Sequence, residues 1–448
     1  MDRARETALR ALMEIETRDA FSNLVLKKHL KNSAFDIRDK AFITELVYGT
    51  VTRRLTLDWI ISRFSKTKIT KLSKWVLQIL RIGIYQIVFL DRVPKSAACN
   101  TSVELAKKYA KASSGFVNAI LRNVSRNEIN LNEIDTGTKT GNLSVRYSFP
   151  EHLTREWLSQ FGEDFTEKIL GALLERPDFT VRVNTLKTTR DKVIEELKNE
   201  SIEAKPGRFL EEALILKNTS DISSTHAFLN GWITVQDESS MLVSRILVPK
   251  PGELVLDVCA APGGKTTHIA QLMQNKGHIT AWDIYDHKVK LIDENASRMG
   301  ITIIDTLKND ATHMVNDEIN KYDRVLVDAP CSGTGIIRRK PDIKWQRTLD
   351  DFDNLVEIQK KLLYNASRYL RPGGVLVYST CSLDDRENAQ VVRSFLDTCD
   401  EFEPEPLTEY LPVPLRCKKE ASEGMLRLYP DTDGTDGFFM ARLKKKPL

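Results

Sequence analysis

The chain is poor in cysteine: six in 448 residues (99, 259, 331, 381, 399 and 417), with no two forming a CxxC pair. That excludes a disulfide framework and argues against a structural zinc site, so no metal is expected, and a reducing cytoplasm is the expected setting. The chain also lacks a secretory signal. Met1-Asp2-Arg3-Ala4-Arg5-Glu6 carries charges of both signs and no apolar core follows. No long hydrophobic run is present either. The most apolar stretch, LQILRIGIYQIVFL (77–90), contains Arg81 and Gln86 and is too short to span a bilayer, which predicts a buried helix and no membrane association. Two phosphate-binding fingerprints are missing. GGKT at 263–266 has a cysteine, Cys259, where the Walker pattern needs its first glycine, and no GxGxxG occurs.

What remains is a chain 41% hydrophobic and 29% charged, long enough for about two to four domains. Its charge is unevenly spread. Residues 1–126 hold 24 Lys+Arg against 11 Asp+Glu, whereas the remainder holds 42 against 51. A basic first quarter points to a nucleic-acid partner. The same residues repeat apolar positions at helical spacing throughout, with one helix predicted over 39–64. Residues 127–142 read as a polar linker and 143–231 as a small α/β domain, with a helix predicted over 150–175. From 232 to 448, apolar strands alternate with amphipathic helices, the pattern of a doubly wound parallel sheet. Ligands of such sheets bind beyond the carboxyl ends of the strands.

The chemistry-bearing residues fall at those ends. The first strand leads into CAAPGGK (259–265), where small residues let a ligand approach the backbone and a helix N-terminus. The second ends in Asp283, placed to accept both ribose hydroxyls of an adenosine. The third is followed by Asn309-Asp310, in reach of an adenine edge. An adenosine-containing ligand without phosphates accounts for all three, and S-adenosylmethionine is the economical candidate. The fourth and fifth strands end in DAPCSGTG and YSTCSLDDREN, each presenting a thiol, Cys331 and Cys381. Either cysteine alone reads as buried core filler. As a pair at neighbouring strand ends they read as an active site. Ser382-Leu383-Asp384-Asp385 has the form of a helix cap, and a helix N-terminus there would favour a thiolate at Cys381.

These segments are similar to those of the RNA cytosine carbon-5 methyltransferases, the NOL1/NOP2/Sun family. The resemblance covers nearly the whole chain. It rests on NGWITVQDESSMLV (230–243), DVCAAPGGKT (257–266), DAPCSGTGIIRRKPDIKW (328–345), YSTCS (378–382) and DGFFMARL (436–443). VPKSAACNTSVELAKKYA (93–110) and GFVNAILRNV (115–124) resemble the NusB antitermination factor. The resemblance implies an all-α NusB-like domain, a small α+β domain and a Rossmann-like methyltransferase domain. It implies 16S ribosomal RNA as partner, with transfer RNA or a non-catalytic antitermination role as alternatives, and a monomer is expected. It also implies that Cys381 attacks the base and Cys331 assists release. Cys259, Ala260, Ala261, Pro262, Gly263, Gly264 and Lys265, with Asp283, Asp310 and Asp328, would hold S-adenosylmethionine and the target base, Asp328 lying among the catalytic groups.

Overall fold

The apolar stretch around Arg81 forms the helix Lys74–Phe89, capped by Ser73, whose hydroxyl accepts from the Val76 amide. Its polar residues have partners. Arg81, 3% exposed, holds Asp58 through two hydrogen bonds of 2.7 Å, and Gln86 accepts from Arg5 Nε at 2.6 Å. The helices Arg3–Arg18, Ser22–Leu30, Ile37–Thr52, Arg54–Phe64, Lys95–Tyr109 and Ser114–Arg126 pack around it through one apolar core. The helix expected over 39–64 is therefore two. The β-branched run Thr50-Val51-Thr52 is a weak helix former, and Arg53 leaves the helical region at φ −100°, ψ 16°.

This computed structural model describes residues 2–31, 35–217 and 221–447 and divides into two units. One is Met1–Glu175 with Ile337–Gln346; the other is Arg176–Ile336 with Arg347–Leu448. The helical unit thus runs well past residue 126. The helix Lys139–Tyr147 begins inside the expected linker, because Thr138 caps it by accepting from the Gly141 amide at 3.1 Å. Glu151–Phe161 and Glu163–Ala172 replace the single helix expected over 150–175, the break being Gly162 at φ +74°.

The short segment Ile337–Gln346 completes the helical unit. The break at Arg53 leaves carbonyls for it: Val51 accepts from Trp345 Nε1 and Thr52 from Lys344 Nζ, both at 2.9 Å. Asp342 accepts from the Ser22 amide at 3.1 Å. Lys344 is fully buried, with its ammonium 4.0 Å from the Phe149 ring centroid.

The second unit carries two sheets. The small one is antiparallel, in the order β2 (Glu203–Pro206), β3 (Ala213–Lys217), β1 (Phe179–Val183), β4 (Ile233–Val235). Because β4 pairs with β1, Arg182 opposite Thr234, this sheet extends beyond residue 231. The large sheet contains β5 (Leu254–Asp257), β6 (His278–Asp283), β7 (Ile304–Lys308), β8 (Tyr322–Asp328), β9 (Leu370–Thr380), β10 (Phe402–Pro404), β11 (Met425–Leu428) and β12 (Phe438–Lys445). Its order is β10-β12-β9-β8-β5-β6-β7, with β11 paired to β12. The five strands from β9 to β7 are parallel, as expected. The C-terminal strands add an antiparallel edge, β12 lying against β9. Helices cover both faces. Met241, Ile246 and Ile269 pack with Leu326, Val377 and Met440 on one, and Leu362, Ala366 and Val392 with Val325, Leu376 and Tyr378 on the other.

Burial pushes the Lys344 pKa well below the ordinary lysine value, and the Arg53 charge adds to this. The unfolded chain then binds a proton that the folded chain releases at lower pH. Across that window stability rises with pH. Lys344→Met abolishes this contribution. Between about pH 7 and 10 the urea midpoint of the wild-type protein should climb relative to that of the variant. Parallel pH profiles would contradict the assignment.

Candidate active site

The site is built where β8 and β9 end side by side, Val327 opposite Tyr378 and Asp328 opposite Ser379. Both chains then turn into loops, tied by the Ala329 amide donating to the Ser379 carbonyl at 2.9 Å. This brings Cys331 and Cys381 together, sulfur to sulfur at 3.3 Å. The Gly335 amide donates to the Cys381 carbonyl, and the Gly437 amide to the Gly335 carbonyl, each at 2.9 Å. A Cβ on Gly335 would lie 2.1 Å from the Gly437 carbonyl oxygen, so the closeness of these loops requires glycine there.

The sequence offered a helix start at Ser382. The structure has none: the next helix is Ala389–Leu396, preceded by a turn over residues 385–388. The Ser382 hydroxyl is directed to the Glu387 carboxylate at 2.5 Å, and Asp384 pairs with its near neighbour Arg386 at 2.7 Å. The helix-dipole argument for a Cys381 thiolate therefore falls. The shift the structure shows falls on the other thiol. Its hydrogen bond to Cys381 and, next, desolvation hold Cys331 protonated, well above the usual thiol range.

Glu387 was not singled out from the sequence, though a signal was there. Each thiol is followed by a serine, and both serine hydroxyls meet this one carboxylate, as do the Ser332 amide at 2.8 Å and Gln359 Nε2 at 3.0 Å. Ser379 was missed too; its hydroxyl donates to Asp328 Oδ1 at 2.8 Å. Lys265 Nζ sits 2.6 Å from the other Asp328 oxygen and 5.0 Å from the Phe438 ring centroid. Asp328, Lys265 and the two thiols thus share one strand-end cluster.

The rest of the loop after β5 lies at the same end of the sheet. Gly263 adopts φ +95°, and a Cβ there would lie 3.2 Å from Ile292 Cα. The Ala260 amide donates to the Trp282 carbonyl at 2.8 Å and the Gly263 amide to the Ala260 carbonyl at 2.7 Å; between them come Ala261 and a cis Pro262. The helix Gly264–Leu272 starts here, its first carbonyl taken by the buried Arg182 of β1 at 2.7 Å. Desolvation raises Asp257 to about 7, although Thr266 donates to it at 2.7 Å. Desolvation also drives the Cys259 thiol well above its ordinary value, with Asp257, Asp328 and Asp283 adding to the effect. Asp283 ends β6, 8% exposed, with one carboxylate oxygen accepting from the Tyr285 amide at 3.1 Å. Asp310 closes a turn, accepting from the Thr312 amide and hydroxyl at 3.0 and 2.6 Å. The neighbouring Asn309 has a buried amide nitrogen without a partner. A vacant donor beside a strand-end carboxylate and a glycine-lined backbone fits an adenosine: the carboxylate to the ribose, the amide to a ring acceptor.

Comparison with known proteins agrees with this geometry. Residues 244–444 match the family model "16S rRNA methyltransferase RsmB/F", residues 2–126 that of the NusB family, and residues 149–223 the ferredoxin-like domain of RsmF/B-like methyltransferases. The probable ribosomal RNA small subunit methyltransferase B of Bacillus subtilis (strain 168) is 42% identical over 99% of this chain and 98% of its own. The chain belongs to the RsmB/F methyltransferase family. Among solved structures, PH0851 is 29% identical with a TM-score of 0.80, covering 98% of both chains. NSun6 from Pyrococcus horikoshii, solved with SFG, is 26% identical with a TM-score of 0.61, over 67% of this chain and 99% of its own. As a member of the family the protein is an S-adenosylmethionine-dependent rRNA methyltransferase with a NusB domain, a small ferredoxin-like domain and a methyltransferase domain. Among the described residues no helix is long and apolar enough to cross a membrane, and no group of three or more His, Cys, Asp or Glu could hold a metal.

If Asp283 accepts from the ribose hydroxyls of the cofactor, Asp283→Ala removes that acceptor. S-adenosylmethionine affinity measured by calorimetry should fall by about 1–3 kcal/mol. Unchanged affinity would remove Asp283 from the cofactor site.

Proposed function

We propose that this enzyme methylates carbon 5 of a cytosine in 16S ribosomal RNA through a covalent adduct between Cys381 and carbon 6. The observation that carries this reading is the pair of thiols in contact at 3.3 Å beside Asp328 and Lys265. Cytosine carbon 5 is too weak a nucleophile to be methylated unaided. Addition of the Cys381 sulfur to carbon 6 places electron density on carbon 5. Bound S-adenosylmethionine supplies an electrophilic methyl group on a sulfonium. Asp328 accepts from the exocyclic amine, while Lys265 and Ser379 fix its orientation. A base takes the carbon-5 proton, the C5–H electron pair forms the C5=C6 bond, and the carbon–sulfur bond breaks with its pair returning to the Cys381 sulfur. Cys331, which keeps its proton, donates to that departing sulfur. This is a role in release rather than attack. The target base must be unstacked to reach the thiols, so an RNA loop or single strand is the fitting substrate.

Cys381→Ser should abolish methyl transfer from labelled cofactor to 16S RNA lacking the modification, with cofactor binding retained. Cys331→Ala should accumulate a protein–RNA adduct, visible as a shifted band on denaturing gels. If Cys331→Ala turns over normally without an adduct, the release role is lost; if it is inactive while Cys381→Ser works, the roles are reversed.

The basic helical unit is read as the RNA-docking module. Lys66, Lys68, Lys71 and Lys74 are all exposed in the stretch after the helix Arg54–Phe64, and no ion pair engages them among the described residues. Each phosphate neutralised contributes about 0.7 to the slope of log affinity against log salt for a single strand. Replacing the four lysines by glutamine should lower that slope by about 3. Substitution is preferable to deletion of the unit, which would strip Lys344 and Trp345 of their surroundings. An unchanged slope would show that the RNA docks elsewhere.

A further inference from the structure

Glu387 is completely buried and faces no cation among the described residues; neutral donors alone hold it. A lone buried carboxylate is costly unless well hydrogen-bonded. Here the donors are unevenly chosen. The amide and hydroxyl of Ser332, directly after Cys331, and the hydroxyl of Ser382, directly after Cys381, all converge on it. Gln359 Nε2 donates both to this carboxylate, at 3.0 Å, and to the carbonyl of Pro330, directly before Cys331, at 2.9 Å. One carboxylate therefore binds both thiol loops; burial raises its pKa above the ordinary value, and these hydrogen bonds oppose that rise. If only shape were needed, a neutral side chain would serve without the desolvation of a charge.

We propose that Glu387 is a positioning residue: held by donors from both thiol loops, its carboxylate sets the two sulfurs against each other and adds a negative charge beside Cys331. This rests on the roles of Cys381 and Cys331 given above. The hydrogen bond to Cys381 and desolvation come first in holding the Cys331 proton, and Glu387 adds to them. Asp328 is neutralised by Lys265 at 2.6 Å, and Arg347 donates to the Ser332 carbonyl at 3.3 Å, a cation that works in the opposite direction. Tyr378 lends its hydroxyl to the Glu387 carbonyl at 2.7 Å. Cys259 lies among Asp257, Asp328 and Asp283 and keeps its own proton. The field of Glu387 is among the influences that raise the Cys331 pKa. During release the Cys331 proton would stabilise the departing Cys381 sulfur. Glu387 touches neither substrate nor cofactor; it acts through Cys331.

The test compares Glu387→Gln, which keeps the shape and loses the charge, with Glu387→Asp, which keeps the charge on a shorter arm. The first measurement needs no RNA. Full-length protein is alkylated with iodoacetamide across a pH series and each cysteine is followed by mass spectrometry. In Glu387→Gln the midpoint for Cys331 should fall by about one pH unit or more, while Glu387→Asp stays near wild type. The second measurement is single-turnover methylation followed by adduct decay. Glu387→Gln should slow adduct decay about tenfold, with methyl transfer less affected and cofactor affinity unchanged. If the Cys331 midpoint coincides in Glu387→Gln and wild type, the proposal is overturned even where activity falls, because a structural role alone would produce that. If the midpoint shifts and wild-type protein forms no cytosine adduct, the positioning role stands and the proposed reaction fails. Should Glu387→Gln not bind S-adenosylmethionine, Ser332→Ala and Ser382→Ala decide. Each removes one donor, and slowed adduct decay in both supports the clamp while normal decay in both refutes it.

Discussion

The parallel pairing of β8 with β9 is the constraint on which the site depends. Fifty residues separate Cys331 from Cys381, including the long helix Leu349–Tyr369, and only the register of two adjacent strands brings them back together. With Asp328 level with Ser379, each loop turns at the same height and each thiol stands two or three residues beyond. A slip of one residue would send alternate side chains to the opposite face and separate the sulfurs. Register is held by what lies beneath. Val325, Val327, Leu376 and Tyr378 are fully buried in a core covered by helices, where no other alternation would be tolerated.

Antiparallel β12 extends this logic. Its start, DGFF, brings Gly437 against Gly335 and Phe438 over Lys265. The C-terminal edge therefore finishes the site rather than merely widening the sheet. Arg182 works from the other side. A fully buried guanidinium on the small sheet takes the first carbonyl of the helix Gly264–Leu272, so the small domain fixes the start of the cofactor helix.

Much of this was legible in the sequence, for identifiable reasons. Apolar strands with polar tips announce a parallel sheet, and the rule that ligands bind at strand ends gathered Asp283, Asp328, Cys331 and Cys381 before any coordinates. Lys265 and the glycines came with their motif. What escaped depends on long-range partners. The break at Arg53 has only weak local propensity signals in the Thr50-Val51-Thr52 run. The Ser382 hydroxyl does accept from the Asp384 amide at 3.0 Å, as a cap would, but it also donates to Glu387, and the chain turns there rather than entering a helix. The NusB match ends at residue 126, while the compact helical unit runs on to Glu175 because the helices Lys139–Tyr147, Glu151–Phe161 and Glu163–Ala172 pack with it. Asp310, read from the sequence as near the cofactor, also accepts from the Thr312 hydroxyl through one oxygen, a local turn contact the sequence did not suggest.

The placement of Ile337–Gln346 has a consequence for biosynthesis. The first 175 residues of the helical unit leave the ribosome long before its last ten. At about 5–20 residues per second, the 161 residues in between take roughly 8–32 s to make. Throughout that interval the carbonyls of Val51 and Thr52 and the face of Phe149 wait for Trp345 and Lys344. The nascent helical unit is thus an incomplete body with a reserved seat. It is filled by the same stretch of chain that has just laid down the Cys331 loop, which ties maturation of the helical unit to that of the catalytic one.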